Sequence, residues 1–134
     1  MLKHEEKEKK KEKKKERQVM AETSPLIKYS DELTDKIIAW YRKRIREDYA
    51  MHSLYNQLLR SATSVGANVA ESQFSQSPSD YKSKNHIALK EANETKYWIK
   101  HLKIDGSISN EDEMIFMDNV QNIINILISI VNPK

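Results

Sequence analysis

The sequence predicts an all-α protein, an antiparallel up-down-up-down four-helix bundle with a charged N-terminal arm. Three observations lead there. Apolar residues recur at helical spacing in four successive segments. No segment alternates with the period of two that a half-buried strand requires. Only two glycines occur in 134 residues, and the connections between the periodic segments are short, which suits a bundle.

Residues 1–24 read as a charged low-complexity arm and residues 25–134 as the bundle. Residues 1–17 hold nine Lys/Arg and five Glu, a net +4, while the remainder sums to −1. The net charge of +3 and the pI near 9.0 therefore belong to the arm and do not mark the bundle as a polyanion binder. The arm has no stripe to bury, so a frayed or solvated segment is expected, helical only where charges pair at i,i+4. Met20 directly after it offers a second start.

Pro25 is expected to break the chain before the first bundle helix. Ser30 then caps a helix from Asp31 to about Asp48, with Asp31 and Glu32 at its positive end. Its stripe is Leu33, Ile37, Trp40, Tyr41 and Ile45, with Arg44 on the same face. The second helix runs from about Ser53 to Gln73 on the stripe Leu54, Leu58, Ala62, Val65 and Val69. Ala62, Gly66 and Ala70 form a small-residue row. A helical Gly costs about 1 kcal/mol against Ala, and close approach of a neighbouring helix, expected to be the third, is the compensation. Phe74 to Pro78 is a loop, and Ser79 caps the third helix, which ends at Gly106. Its inward face is Tyr81, Ala88, Glu91, Thr95, Trp98 and Leu102. Asn110 caps the fourth helix, with Glu113 completing a capping box. That helix, to about Val131, is apolar around much of its circumference, more than one core needs, so part of it is expected to meet another subunit.

Composition closes off several chemistries. With no cysteine, the chain has no disulfide, thiolate metal site or thiol nucleophile. The basic N-terminus is not followed by an apolar run, so no signal peptide is expected. The longest apolar run, Ile123 to Val131, is interrupted by Asn125 and Ser129 and is about half the roughly 20 residues that span a bilayer. A soluble cytoplasmic protein without a membrane partner is expected.

The sharpest anomaly is Glu91, at the centre of an otherwise apolar arc of the third helix. A lone buried carboxylate costs several kcal/mol unless paired, on the order given by measured buried groups. Matching levels along the helices suggests Arg44 as its partner, and Arg60 is the other candidate. The pair reads as structural, fixing helix register, because no nucleophile or second carboxylate accompanies it. A di-metal bundle site needs Glu-x-x-His on two helices. Glu91 is followed three positions on by Glu94, and Glu94 by Tyr97, so no metal or cofactor is expected. His52, His86 and His101 are isolated. Asn68, on the shoulder of the second helix near Ser61, is expected to bond across helices, and Trp40 and Trp98 are expected core anchors. Lys82, Lys90, Lys96, Lys100 and Lys103 fall within an arc of about 140° on the third helix, opposite its apolar face. Arg42, Lys43 and Arg46 cluster at the end of the first. Read blandly these are solvated faces; read functionally they track a phosphate backbone. No aromatic residue interleaves them, so base stacking is not expected.

The segments Leu58-Leu-Arg-Ser-Ala-Thr-Ser-Val-Gly-Ala-Asn-Val-Ala-Glu71 and Ile87-Ala-Leu-Lys-Glu-Ala-Asn-Glu-Thr-Lys-Tyr-Trp98 resemble the bacterial four-helix-bundle proteins that include the 23S rRNA intervening-sequence proteins. They are also similar to the accessory variability proteins of diversity-generating retroelements. The likeness covers about residues 26 to 131. It implies an antiparallel four-helix protomer assembling into a homo-oligomeric ring, a pentamer. For the retroelement relatives it implies binding to a reverse transcriptase and to nucleic acid. The arm lies outside the pattern. The reading of sequence and resemblance together is a non-enzymatic, homo-oligomeric accessory protein binding RNA or DNA electrostatically. The rival is a protein-interaction scaffold that binds no nucleic acid.

Overall fold

The computed structural model describes residues 2–133, with the side chains of residues 12–24 left out of the description. The protein is all-α. Four long helices, α1 (Leu2–Glu47), α2 (His52–Ser72), α3 (Pro78–Asp105) and α4 (Asn110–Val131), follow one another, with a single 3-10 turn, Tyr49–Met51, between the first two. Each helix packs on two neighbours: α1 on α2 and α4, and α3 on α2 and α4. Among the described residues the diagonal pairs α1–α3 and α2–α4 are not backbone neighbours.

The described part of α1 departs most from expectation. Pro25 sits inside the helix rather than before it. Proline removes one backbone donor and crowds the carbonyl four residues back, yet the core begins at once beyond it: Leu26 is fully buried. Burial of that first apolar turn places the helix upstream of Ser30, which is not a cap. The Ser30 hydroxyl instead donates to the Leu26 carbonyl at 2.7 Å. The arm through residue 11 is helical and exposed rather than frayed, with His4 Nε2 3.1 Å from Glu8 Oε1.

Two further caps shift by one or two residues. Ser77, not Ser79, caps α3, accepting from the Asp80 amide and placing Pro78 in the first turn, where its missing N–H is not needed. Ser109, not Asn110, caps α4 and accepts from the Asp112 amide, so Glu113 is one residue past the capping-box position. Gly106 ends α3 as expected, in the left-handed conformation at φ 91°.

The core is lined by Leu26, Leu33, Ile37 and Trp40 of α1, Tyr55, Leu58, Val65 and Val69 of α2, Ala88, Ala92, Ile99 and Leu102 of α3, and Phe116, Val120, Ile123, Ile124 and Leu127 of α4. On α2 the buried side starts at Tyr55, and Leu54 is exposed. Trp40 is a core anchor, whereas Trp98 is only half-buried against the core's edge. Gly66 does mark a close approach, but to α1 rather than α3: a Cβ there lies 2.8 Å from Thr34 Oγ1.

Helix α4 is long and apolar enough, by length and composition alone, to cross a membrane, which the run Ile123 to Val131 did not suggest. Its buried side is packed on α1 and α3. Met114 and Ile128 stay exposed, and Ile115, Met117, Ile126 and Ile130 are half-buried.

Candidate functional site

Two polar clusters and one charged helix face carry the chemistry. The first cluster closes the end of the molecule where α1 turns into α2 and α3 into α4. Tyr55 is fully buried. Its hydroxyl accepts from Arg44 Nη2 at 3.1 Å and lies 3.0 Å from Asp48 Oδ2 and 3.1 Å from Ser107 Oγ. Ser107 donates to Asp105 Oδ2 at 2.6 Å, and its carbonyl accepts from the Trp40 indole at 3.4 Å. The Trp40 and Tyr55 rings meet edge to face at 5.3 Å. Arg44 also pairs with Glu47 at 3.1 Å. The Tyr55 hydrogen bond, first, and the neighbouring carboxylates hold the Arg44 guanidinium above the usual arginine range, against the opposing effect of burial.

Arg44 is therefore not the partner of Glu91. It sits on α1, which is not a backbone neighbour of α3 among the described residues, and counting levels from an assumed start at Asp31 misplaced it. Arg60 of α2 is the partner: Nη1 lies 3.4 Å from Glu91 Oε2 and Nη2 2.5 Å from Glu94 Oε1. Glu91 is not at the centre of a buried face. Its side chain is 23% exposed and that of Arg60 is 45% exposed. The buried line of α3 runs through Asn85, Ala88, Ala92, Thr95, Ile99 and Leu102, which places Glu91 on the edge facing α2. Burial, chiefly, and then the nearby Glu94 carboxylate raise the Glu91 carboxyl despite Arg60, whereas the hydrogen bond from Arg60 lowers that of Glu94.

Those opposite shifts fix the sign of a pH effect. Glu94 contributes stability above the ordinary glutamate range, and it is lost as pH falls through the folded value. Glu91, shifted upward, contributes stability only at low pH, lost as pH rises through its folded value. At neutral pH Glu94→Gln is expected to destabilise, by under about 1 kcal/mol because Arg60 is well solvated, while Glu91→Gln is neutral or slightly stabilising. Thermal melts from pH 7 to pH 3 check this. A larger loss for Glu91→Gln than for Glu94→Gln at pH 7 refutes the assignment.

Asn68 does not bond across helices. Its side-chain amide donates to the Ser64 carbonyl one turn back, at 2.8 Å. The buried α2–α3 contact is instead Thr95 Oγ1 with Ser61 Oγ at 2.9 Å. Among the described residues no three His, Asp or Glu side chains gather to hold a metal ion.

The charged face belongs to α3. Lys82, Lys90 and Lys100 are exposed, while Lys96 and Lys103 are half-buried. Lys96 donates to Gln121 Oε1 of α4 at 2.9 Å. The track thus starts on the shoulder beside α4 and wraps outward, instead of lying opposite the core. Arg42, Lys43 and Arg46 are exposed at the end of α1. Arg46 Nε donates to the Arg42 carbonyl at 3.3 Å, and Lys43 borders a cavity of about 350 Å³ beside Trp40 and Asp112. Aromatic groups do interleave the lysines. Tyr97 is 53% exposed and its ring lies 4.4 Å from that of exposed His101. Helical register puts both rings on the outward arc with Lys90 and Lys100.

Comparison with known proteins decides the family. Residues 22–129 match the 23S rRNA-intervening sequence proteins. The chain belongs to that family. A crystal structure of a protein of unknown function from the S23 ribosomal protein family of Bacteroides thetaiotaomicron is similar to it, with 36% sequence identity and a TM-score of 0.74 over 80% of this chain and 98% of that one. No curated protein matches. The family region takes in both polar clusters and the whole lysine track, while nearly all of the arm precedes it.

The Tyr55 cluster escaped the sequence reading. Ser107 is 52 residues from Tyr55, and Asp48 and Ser107 lie in the connections between helices, so no local spacing links the three. The one available signal was Tyr55 itself, placed a position off the assumed stripe.

Proposed function

We propose that this member of the 23S rRNA-intervening sequence family is a non-catalytic, cytoplasmic accessory protein that binds RNA or DNA through the phosphate backbone. In this reading the protomer is an up-down-up-down four-helix bundle that assembles with copies of itself into a ring. The short connections and the cyclic packing of α1 to α4 support the bundle. Exposed Ile104, Met114 and Ile128, at 73%, 65% and 45%, support burial against another copy.

The observation that carries the binding role is the α3 track. Lys82, Lys90 and Lys100 project from a rigid helix, and a ring would repeat them by symmetry. The nearby carboxylates are already engaged: Glu91 and Glu94 with Arg60, Asp80 with Lys84 at 3.3 Å, and Asp105 with Ser107. The titratable groups with shifted pKa values are held in the two polar clusters, where hydrogen bonds and ion pairs engage them.

Fluorescence anisotropy with labelled RNA and DNA across a salt series tests the reading. Binding is expected to weaken steeply with salt and to show little sequence preference. Changing Lys82, Lys90 and Lys100 together to Glu is expected to abolish it without lowering the melting temperature, because all three are exposed. Deleting residues 1–19 is expected to weaken binding only modestly, since the arm's glutamates dilute its charge. Light scattering should give a mass well above 15.7 kDa. A parent that binds neither RNA nor DNA at low salt replaces this reading with that of a protein scaffold, engaging a reverse transcriptase or another partner through the exposed apolar side chains.

A further inference from the structure

The lysine track has a second component that electrostatics alone does not use. Tyr97 stands out from α3 and is 53% exposed. It is also held in place. The half-buried Trp98 meets it edge to face at 5.1 Å and an interplanar angle of 81°. The His101 ring, one turn on, lies 4.4 Å from it at an interplanar angle of 50°. Trp98 is itself fixed, packing on the core and donating its indole N–H to Glu94 at 3.4 Å. The result is a pre-positioned aromatic shelf, which loses little side-chain freedom when something lands on it.

Cations flank the shelf along the helix. Lys100 is three residues beyond Tyr97 and Lys90 seven before it, so roughly 15 Å of helix separates the two ammonium-bearing positions with the ring between them. Asn93 and His86, on the same outward arc, add polar groups, and both are exposed. No carboxylate lies on that arc. The nearest, Glu94, accepts from the Trp98 indole and pairs with Arg60 of α2, which it shares with Glu91. An exposed ring between lysines matches a ligand that alternates phosphates with flat π-faces.

Resting on the nucleic-acid reading above, we infer that Tyr97, backed by His101 and Trp98, is a base-stacking site, and that the nucleic acid held on α3 is single-stranded. In a duplex the base faces are already stacked on one another and cannot reach a ring on a helix surface. An unpaired base can leave its neighbours and lie on Tyr97 while Lys90 and Lys100 hold the phosphates on either side. Every base has a π-face, so the site selects for unpaired strands without selecting a sequence.

The test compares a labelled single-stranded RNA with a blunt duplex of the same length, at one salt concentration, using the full-length protein. Tyr97→Ala is expected to weaken single-strand binding by about tenfold or more, the range of one lost stacking contact, and to leave duplex binding unchanged. Tyr97→Phe retains a π-face and should restore parental affinity. Circular dichroism and light scattering on the same samples establish that the variants keep fold and assembly. If Tyr97→Ala binds single strands like the parent while the Lys82, Lys90 and Lys100 triple variant does not, stacking is wrong and the backbone track stands. Equal loss on single strand and duplex also overturns the stacking site. If the parent binds neither form, the nucleic-acid reading itself fails. A change in assembly mass on Tyr97→Ala overturns the inference in favour of a subunit contact.

Discussion

Tyr55→Ala is expected to lower stability by about 3–5 kcal/mol, the range of large aromatic truncations in cores. Tyr55 is fully buried, its ring packs against Trp40, and its hydroxyl connects both turns at one end of the molecule through Arg44, Asp48 and Ser107. Alanine removes the ring and leaves a cavity, and it also strips Asp48 of its donor. Tyr55→Phe separates the two contributions. It keeps the ring and deletes only the hydroxyl, so a loss of about 1–3 kcal/mol is expected from the stranded polar partners. Chemical denaturation of the three proteins measures this. If Tyr55→Phe is as stable as the parent, the hydroxyl network is incidental and this end of the molecule is held by packing alone.

Gly66→Leu is the second large effect. A Cβ at this position lies 2.8 Å from Thr34 Oγ1, closer than van der Waals contact allows. Thr34 cannot simply turn aside without cost, because its hydroxyl donates to the Ser30 carbonyl at 2.8 Å. A leucine must push α1 away from α2, an overpacking loss of about 1–3 kcal/mol, on a core that on this side begins at Leu26. Thr34→Ser with Gly66→Ala locates the clash. Alanine gains about 1 kcal/mol of helix propensity, offset by the contact with Thr34, and serine's freer rotamer should relieve the contact. Relief by Thr34→Ser identifies α1 as the neighbour. A Gly66→Leu variant as stable as the parent removes the close approach altogether.

Periodicity was enough to locate four helices and most of their buried residues, because a helix that buries one side must repeat its apolar residues near every 3.6 positions. Gly106 announced the end of α3, since few other residues adopt its left-handed conformation at low cost. The segments around Gly66 and Glu91 carried the family. The helix start within the first bundle segment was not legible. Pro25 and Ser30 together read as a stop and a cap, and only the burial of Leu26 overrides them.

The lysines of α3 were visible as a cluster, but their directions were not. Whether Lys96 reaches solvent depends on Gln121 of α4, 25 residues away, and whether Tyr97 joins the track depends on where the core line of α3 falls. A phase error of one position moves a residue by about 100°, enough to put Glu91 in the core and Tyr97 out of account. The partner of Glu91 was undecidable for the same reason. Arg44 and Arg60 have equal chemistry, and only the arrangement of neighbours, α3 beside α2 and across from α1, selects Arg60. By itself, then, the sequence determined what is periodic or locally enforced: helix number, most of the core and the glycine stop. Tertiary structure alone decided which helices are neighbours, which cations face solvent and which polar groups meet, because those depend on contacts between segments that no local spacing encodes.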